Sequence, residues 1–259
     1  MLSRPITVAC LAALAVGTGV PAASAVESLT VRVQRVIPHE TDASTQGLVW
    51  WRGKLYESTG RRGHSELRRI DPTTGEVERR LPISKLFFGE GLAQAGDRLV
   101  MLTWHAEQAF VFGIRDFDRR GTFGYRGEGW GLCHDGEVFV MSDGSDRLAF
   151  RDSDSFAVVG SVGVTLDGRP VRRLNALECV AGEVYANVYR QDVIVRIDPT
   201  SGRVTGRIDA SGLLGPEEAV RADVLNGIAH VAETDRFLVT GKLWPKMFEV
   251  TFVAEASGR

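Results

Sequence analysis

A short phrase recurs five times along the chain and limits what it can fold into. It reads Gln46-Gly47-Leu48, Glu90-Gly91-Leu92, Trp130-Gly131-Leu132, Asn175-Ala176-Leu177 and Asn226-Gly227-Ile228. Each copy sets a polar or aromatic residue before a small one and then Leu or Ile. Apolar strand-like runs follow after a short gap: Leu55-Tyr56, Leu99 to Leu102, Val138 to Met141, Val184 to Asn187 and Phe237 to Val239. Successive copies begin 44, 40, 45 and 51 residues apart. A period in this range, with several short strands per unit, is the pattern of a propeller blade. Helical repeats would show apolar residues at three- and four-residue spacing, and these units do not. The sequence therefore predicts an all-β, five-bladed β-propeller forming a single domain.

The chain has 259 residues, with 31 Lys and Arg against 33 Asp and Glu. A formal charge of −2, with no basic stripe, gives no reason to expect nucleic acid or an anionic membrane as partner. Residues 1–25 read as a signal peptide: Arg4, an apolar run from Ile6 to Val20, and the small-residue site Ala23-Ser24-Ala25. Residues 26–259 are the propeller domain, exported to the periplasm or secreted, and expected to be monomeric. Export permits a disulfide between Cys133 and Cys179, which follow the third and fourth phrases. Two buried thiols packed as small hydrophobes satisfy the same positions.

Val31 to Ile37 alternates as a strand does, and in a propeller such an N-terminal strand completes the last blade. Asp71-Pro72-Thr73-Thr74-Gly75 and Asp198-Pro199-Thr200-Ser201-Gly202 are matching turns between apolar runs. Pro fixes one corner, Asp bonds the local backbone, and Gly takes the positive φ. The turns lie 127 residues apart, close to three repeats. Gly212 to Ala222 has room for a short helical insertion, which accounts for the longest spacing.

The frame repeats while its leading residue varies: Gln46, Glu90, Trp130, Asn175, Asn226. Divergence on a symmetric frame, with polar groups converging at one mouth of a ring, is how a binding site would look. A second ring follows where each inner strand ends: Thr59, Trp104, Asp143, Tyr189 and Lys242. Glu90, set among Phe87, Phe88, Trp104 and Trp130, would be desolvated and its pKa raised toward neutrality. That suits a group that takes and returns a proton. The five histidines have no zinc-site spacing, and no Gly-x-Ser-x-Gly elbow is present. Asp143-Gly144-Ser145-Asp146 reads as a tight turn sooner than a calcium loop.

These phrases resemble the plant-type glutaminyl-peptide cyclotransferases, or glutaminyl cyclases, which also occur in bacteria. The resemblance rests on Thr45-Gln46-Gly47-Leu48, Glu57-Ser58-Thr59-Gly60, Phe88-Gly89-Glu90-Gly91-Leu92 and Leu102-Thr103-Trp104. It continues through Gly127 to Leu132, Ser142-Asp143-Gly144, Leu174 to Glu178, Ala186-Asn187-Val188, Leu225 to Ala229 and Thr240-Gly241-Lys242 with Trp244-Pro245. It implies a five-bladed propeller that converts N-terminal glutaminyl residues of peptides or proteins to pyroglutamate and releases ammonia, without a metal or other cofactor. It also implies Glu90 as the essential acid, with Lys242 as donor and Gln46, Trp104, Trp130, Asn175, Glu178, Tyr189 and Asn226 around the substrate. Two departures bear on the pocket wall. Ser44 stands where the family usually has an aromatic residue, and Tyr189 where it usually has Trp.

Two other classes fit parts of the same pattern. A lactonase-type propeller hydrolase would draw calcium ligands from Glu90, Asn175, Glu178 and Asn226. A non-catalytic secreted propeller would bind peptides without turnover.

Overall fold

The computed structural model describes residues 25–255. The signal-peptide reading falls, apart from Ala25, outside the described residues. The fold is all-β and sheet-rich, with one short helix, Pro216–Ala219, among the described residues. That helix lies within the predicted insertion.

Three antiparallel four-stranded sheets follow one another in the chain. The first comprises Thr45–Trp51, Lys54–Thr59, Glu66–Ile70 and Val77–Pro82. The second runs from Gly89–Ala95 to Arg119–Gly124, and the third from Leu132–His134 to Val158–Gly163. An eight-stranded sheet holds the rest. One half comprises Leu174–Val180, Glu183–Val188, Val193–Ile197 and Val204–Asp209. The other half comprises Leu225–Val231, Arg236–Gly241, Lys246–Ala254 and the N-terminal strand Glu27–Pro38. The N-terminal strand pairs antiparallel with the last strand, Leu29 opposite Ala254 and Pro38 opposite Lys246. Its first residues also pair in parallel with Gly206 to Asp209, and this joins the two halves. A two-stranded hairpin, Thr165–Leu166 with Arg169–Pro170, forms a small sheet of its own that bridges from Thr165 to Arg203.

Each apolar cluster lies between neighbouring sheets or between the two halves of the eight-stranded sheet. Val49, Tyr56 and Leu67 of the first sheet pack with Leu92, Met101 and Phe110 of the second. The last cluster brings the chain round, with Ala229, Val231, Leu238 and Met247 packed on Leu48, Leu55 and Ile70 of the first sheet. The small residue of the repeated phrase has its reason here. A Cβ on Gly47 would lie 2.4 Å from Leu92 N, one on Gly91 2.6 Å from Leu132 N, and one on Gly131 1.9 Å from Asn175 O. The first four leading strands thus approach backbone to backbone at these glycines, Ala176 leaves room for a methyl, and Gly227 meets only side chains but takes φ 116°.

Both Asp-Pro turns form as predicted. Asp71 Oδ1 accepts from Thr73 N (2.8 Å) and Thr74 N (3.0 Å), and Asp198 Oδ1 accepts from Thr200 N (2.9 Å). Gly75 and Gly202 take φ of 77° and 71°. Cys133 and Cys179 form a disulfide (Cα–Cα 5.5 Å) that ties the third sheet to the fourth.

Candidate functional site

In four leading strands the ladder slips at the phrase, between Thr45 and Gly47, Gly89 and Leu92, Leu174 and Leu177, and Leu225 and Ile228. The slip takes Gln46, Glu90, Asn175 and Asn226 out of regular pairing. Bulges of this kind re-aim side chains beside active sites. Trp130 precedes its strand, Leu132–His134. The result is a cavity of about 180 Å³ lined by Gln46, Phe88, Glu90, Trp104, Trp130, Asn175, Tyr189 and Lys242.

Glu90 is buried at 6 % exposure. Burial pushes its carboxyl well above the usual carboxylate value; the Lys242 ammonium pulls against this and the Glu128 carboxylate adds to it. Burial likewise holds the Lys242 ammonium below the usual lysine value, against the pull of Glu90 and Asp223. Lys242 Nζ lies 5.4 Å from the centre of the Tyr189 ring. The two groups thus interact through a desolvated space, and no ion pair within 4.0 Å joins them among the described residues. Asn175 Oδ1 is buried without a donor in the protein, so a ligand N–H aimed into the cavity would satisfy it.

The walls are aromatic. Trp104 tilts against Phe88 (centroids 5.4 Å apart) and stacks on His105 (4.0 Å). Trp130 meets Tyr189 edge-on at 5.6 Å, so the tyrosine occupies the wall position that the family resemblance gives to Trp. Gly144, at φ 81°, runs beneath the Trp130 ring, where a Cβ would fall 2.7 Å from Cζ2.

Behind the cavity lies a buried charged network. His39 Nδ1 donates to Trp244 O (2.9 Å), and His39 Nε2 meets Glu57 Oε1 (3.0 Å). Thr45 Oγ1 donates to the same Glu57 oxygen (2.6 Å), and Arg68 Nη1 lies 3.6 Å from Glu57 Oε2. These contacts fix Thr45, next to Gln46, and Trp244, two residues past Lys242.

Several residues expected at the site stand elsewhere. Glu178 does not line the cavity; it accepts from His230 N (3.0 Å) on the neighbouring leading strand, and burial raises it to about 8. Asn226 is fully buried and acts as a brace, donating to Thr45 O (3.0 Å) and Gln46 Oε1 (3.4 Å) and accepting from Ala176 N (3.3 Å). The oxygen donors considered for calcium are therefore not gathered at one point. Phe87 belongs to the core, edge-on to Phe110 at 4.8 Å, and only Phe88 reaches the cavity. In the second ring, Thr59 Oγ1 accepts from Glu66 N and Asp143 Oδ1 from Ser145 N, so both serve local structure.

Sequence reading passed over Glu128. Its Oε2 accepts from Trp104 Nε1 (2.7 Å) and Trp130 Nε1 (2.8 Å). A carboxylate two residues before a leading-position Trp was the available signal.

The family model for glutamine cyclotransferase matches residues 6–252. A glutaminyl-peptide cyclotransferase of Arabidopsis thaliana is 39 % identical over 226 residues, 85 % of this chain and 70 % of the relative. The crystal structure of Myxococcus xanthus glutaminyl cyclase superposes with a TM-score of 0.81 at 39 % identity, over 89 % of this chain and all of that one. Hydrazine synthase of Kuenenia stuttgartiensis, at 15 % identity and a TM-score of 0.50, shares the fold alone, over 84 % of this chain and 65 % of its own.

Proposed function

We propose the following route for this chain, which belongs to the glutamine cyclotransferase family and is an enzyme of the glutaminyl-peptide cyclotransferase type. The substrate is a peptide or protein with an N-terminal glutamine. Its α-amine nitrogen attacks its own γ-carboxamide carbon, the C–N bond to the amide nitrogen breaks, and ammonia leaves a pyroglutamyl end. Nucleophile and electrophile belong to one residue, so holding them folded together supplies much of the rate. Phe88, Trp104, Trp130 and Tyr189 pack that side chain and exclude water.

One proton must move. Glu90 takes it from the attacking amine and delivers it to the departing nitrogen. A carboxyl raised by burial is suited to both halves of that transfer. Lys242 faces the oxygen on which negative charge develops, Asn175 Oδ1 accepts from a substrate N–H, and Gln46 holds an amide group. No step calls for a metal. The observation that carries the reading is a buried carboxyl and a buried ammonium facing one aromatic cavity of about 180 Å³.

We also infer five blades around one axis. The support is a cycle of hydrogen bonds between neighbouring units: Ser58 Oγ to Glu90 O (2.6 Å), Gly91 N to Trp130 O (2.7 Å) and Ser142 Oγ to Asn175 O (2.9 Å). Ala176 N to Asn226 Oδ1 (3.3 Å) and Asn226 Nδ2 to Thr45 O (3.0 Å) return it to its start. Export to a periplasm or the medium is a proposal that the Cys133–Cys179 bridge supports.

The test is Glu90→Gln. Turnover of a Gln-initiated peptide should fall by on the order of 10²–10⁴ while the protein stays folded. Near-normal turnover in a folded variant would remove Glu90 from the mechanism.

A further inference from the structure

We propose that Glu128 is a positioning residue for the reaction: one carboxylate oxygen holds the indoles of Trp104 and Trp130 together and so sets the width of the slot that receives the glutamine side chain. Both N–H groups reach the same atom, at 2.7 and 2.8 Å. A carboxylate oxygen has two lone pairs and accepts two such donors without competition. Hydrogen bonds to an ionised acceptor are the stronger kind. Each ring is then held at its polar edge by Glu128 and on its apolar side by a neighbour, Phe88 for Trp104 and Tyr189 for Trp130.

The loop is built to put the carboxylate there. Gly127 takes φ 86° and donates to Glu107 Oε1 (2.8 Å). Gly129 donates to Trp104 O (3.1 Å), and a Cβ on it would fall 2.4 Å from Tyr125 Oη. The side chain of Glu128 is 40 % exposed, with Oε1 3.7 Å from His105 Nδ1. It therefore stands at the solvent edge of the cavity, where a peptide would enter.

The position has an electrostatic consequence, which rests on the acid–base reading of Glu90. The charged and titratable groups around this edge are Glu90 and Lys242 across the cavity, His105 and Glu107 on the loop after Trp104, Arg126 beside Glu128 in the chain, Tyr125, and Asp223 behind Lys242. Among them the Glu128 carboxylate favours the protonated form of Glu90, and Lys242 opposes it. Removing the Glu128 charge should let Glu90 release its proton at lower pH.

Two substitutions separate clamp from charge. Glu128→Gln keeps an amide oxygen for both indoles but loses the charge; Glu128→Ala loses both. The readouts are KM and kcat for a Gln-initiated peptide, the indole N–H resonances, and a carboxyl-carbon NMR titration of Glu90, its resonance identified by absence in Glu90→Gln. Glu128→Gln should leave KM within about twofold of the parent and keep both indole resonances downfield. Glu128→Ala should raise KM roughly tenfold, with both indole resonances moving upfield. Both variants should shift the Glu90 titration to lower pH. Should Glu128→Ala fail to fold, Glu128→Asp, too short to reach both indoles, takes its place with the same expected rise in KM.

Unchanged KM and indole resonances in Glu128→Ala or Glu128→Asp would overturn the clamp. An equal rise of KM in the Gln and Ala variants would overturn it too, since charge alone would then be responsible. Activity retained in Glu90→Gln would count against the proton-transfer role of Glu90 and leave the clamp's readouts, KM and the indole resonances, intact.

Discussion

Gly131→Ala should damage the enzyme more than any other loss or gain of one methyl group in the repeated phrase. The added Cβ would lie 1.9 Å from Asn175 O, 2.7 Å from Asn175 C and 2.9 Å from Leu177 Cγ. The two nearest atoms are backbone, so swinging the Leu177 side chain away would not relieve the clash. The third and fourth leading strands must part by more than ~1 Å to reach ordinary contact. The Ser142 hydroxyl bridges that seam, accepting from Gly131 N (2.8 Å) and donating to Asn175 O (2.9 Å). Losing both bonds costs about 2 kcal/mol and overpacking adds about 1–3 kcal/mol. The sum corresponds to a fall in Tm of roughly 10 °C for a domain of this size. Activity should fall as well, because Trp130 and Asn175 flank the seam. The control is Ala176→Gly at the equivalent position, which should cost no more than about 1 kcal/mol. Thermal unfolding of the two variants beside the parent is the assay. A Gly131→Ala protein melting within about 2 °C of the parent would show that the seam accommodates a methyl group.

Replacing Cys133 and Cys179 by Ser opens a link across 46 residues of sequence and should lower stability in denaturant by about 4 kcal/mol on the chain-entropy account. A much smaller loss would put the tie between the third and fourth sheets elsewhere. For His39, burial lowers the pKa, but the Glu57 charge and hydrogen bond outweigh it and leave the value above 6.5. Its contribution is therefore complete below pH 6.5 and lost as pH rises through the folded value. Burial raises Glu57, yet His39, Arg68 and Thr45 bring it below 4.5, so its contribution is lost as pH falls through that lowered value. His39→Gln should accordingly cost most stability between pH 4.5 and 6.5 and less at alkaline pH, measured by urea unfolding across the range. Glu178 has the sign opposite to that of Glu57. Burial raises it to about 8, so ionisation works against the fold as pH rises from 4.5 toward 8. Glu178→Gln should stabilise the protein at pH 8.5 relative to its effect at pH 5 and leave KM unchanged; a raised KM would return Glu178 to the substrate site.

Much of the site was legible because the phrase keeps register. A leading residue at the same step of each unit must converge with its counterparts, and four of the five such residues line the cavity. The fifth, Asn226, holds the correct place but turns to Thr45 and Gln46, a choice set by hydrogen-bond partners that spacing does not reveal. Glu178 was misplaced because it follows the phrase by two residues beyond the small one, where the strand has resumed its pairing, opposite Tyr185. Glu128 stands outside the register, in a Gly-rich stretch whose path depends on Glu107 and Tyr125. The buried set of His39, Glu57 and Arg68 was invisible for another reason. Its members sit on different strands and loops, and no local pattern marks them as partners. The disulfide stayed open in the sequence because alternating apolar positions accommodate a thiol and a bridge equally well.

Cyclisation is measured most directly by mass spectrometry of a Gln-initiated peptide incubated with the protein lacking residues 1–25, with and without EDTA. Loss of ammonia and a pyroglutamyl product are expected at the same rate in both samples. No product from the folded protein would contradict the cyclotransferase reading, and product abolished by EDTA would contradict a route carried by Glu90 and Lys242 alone.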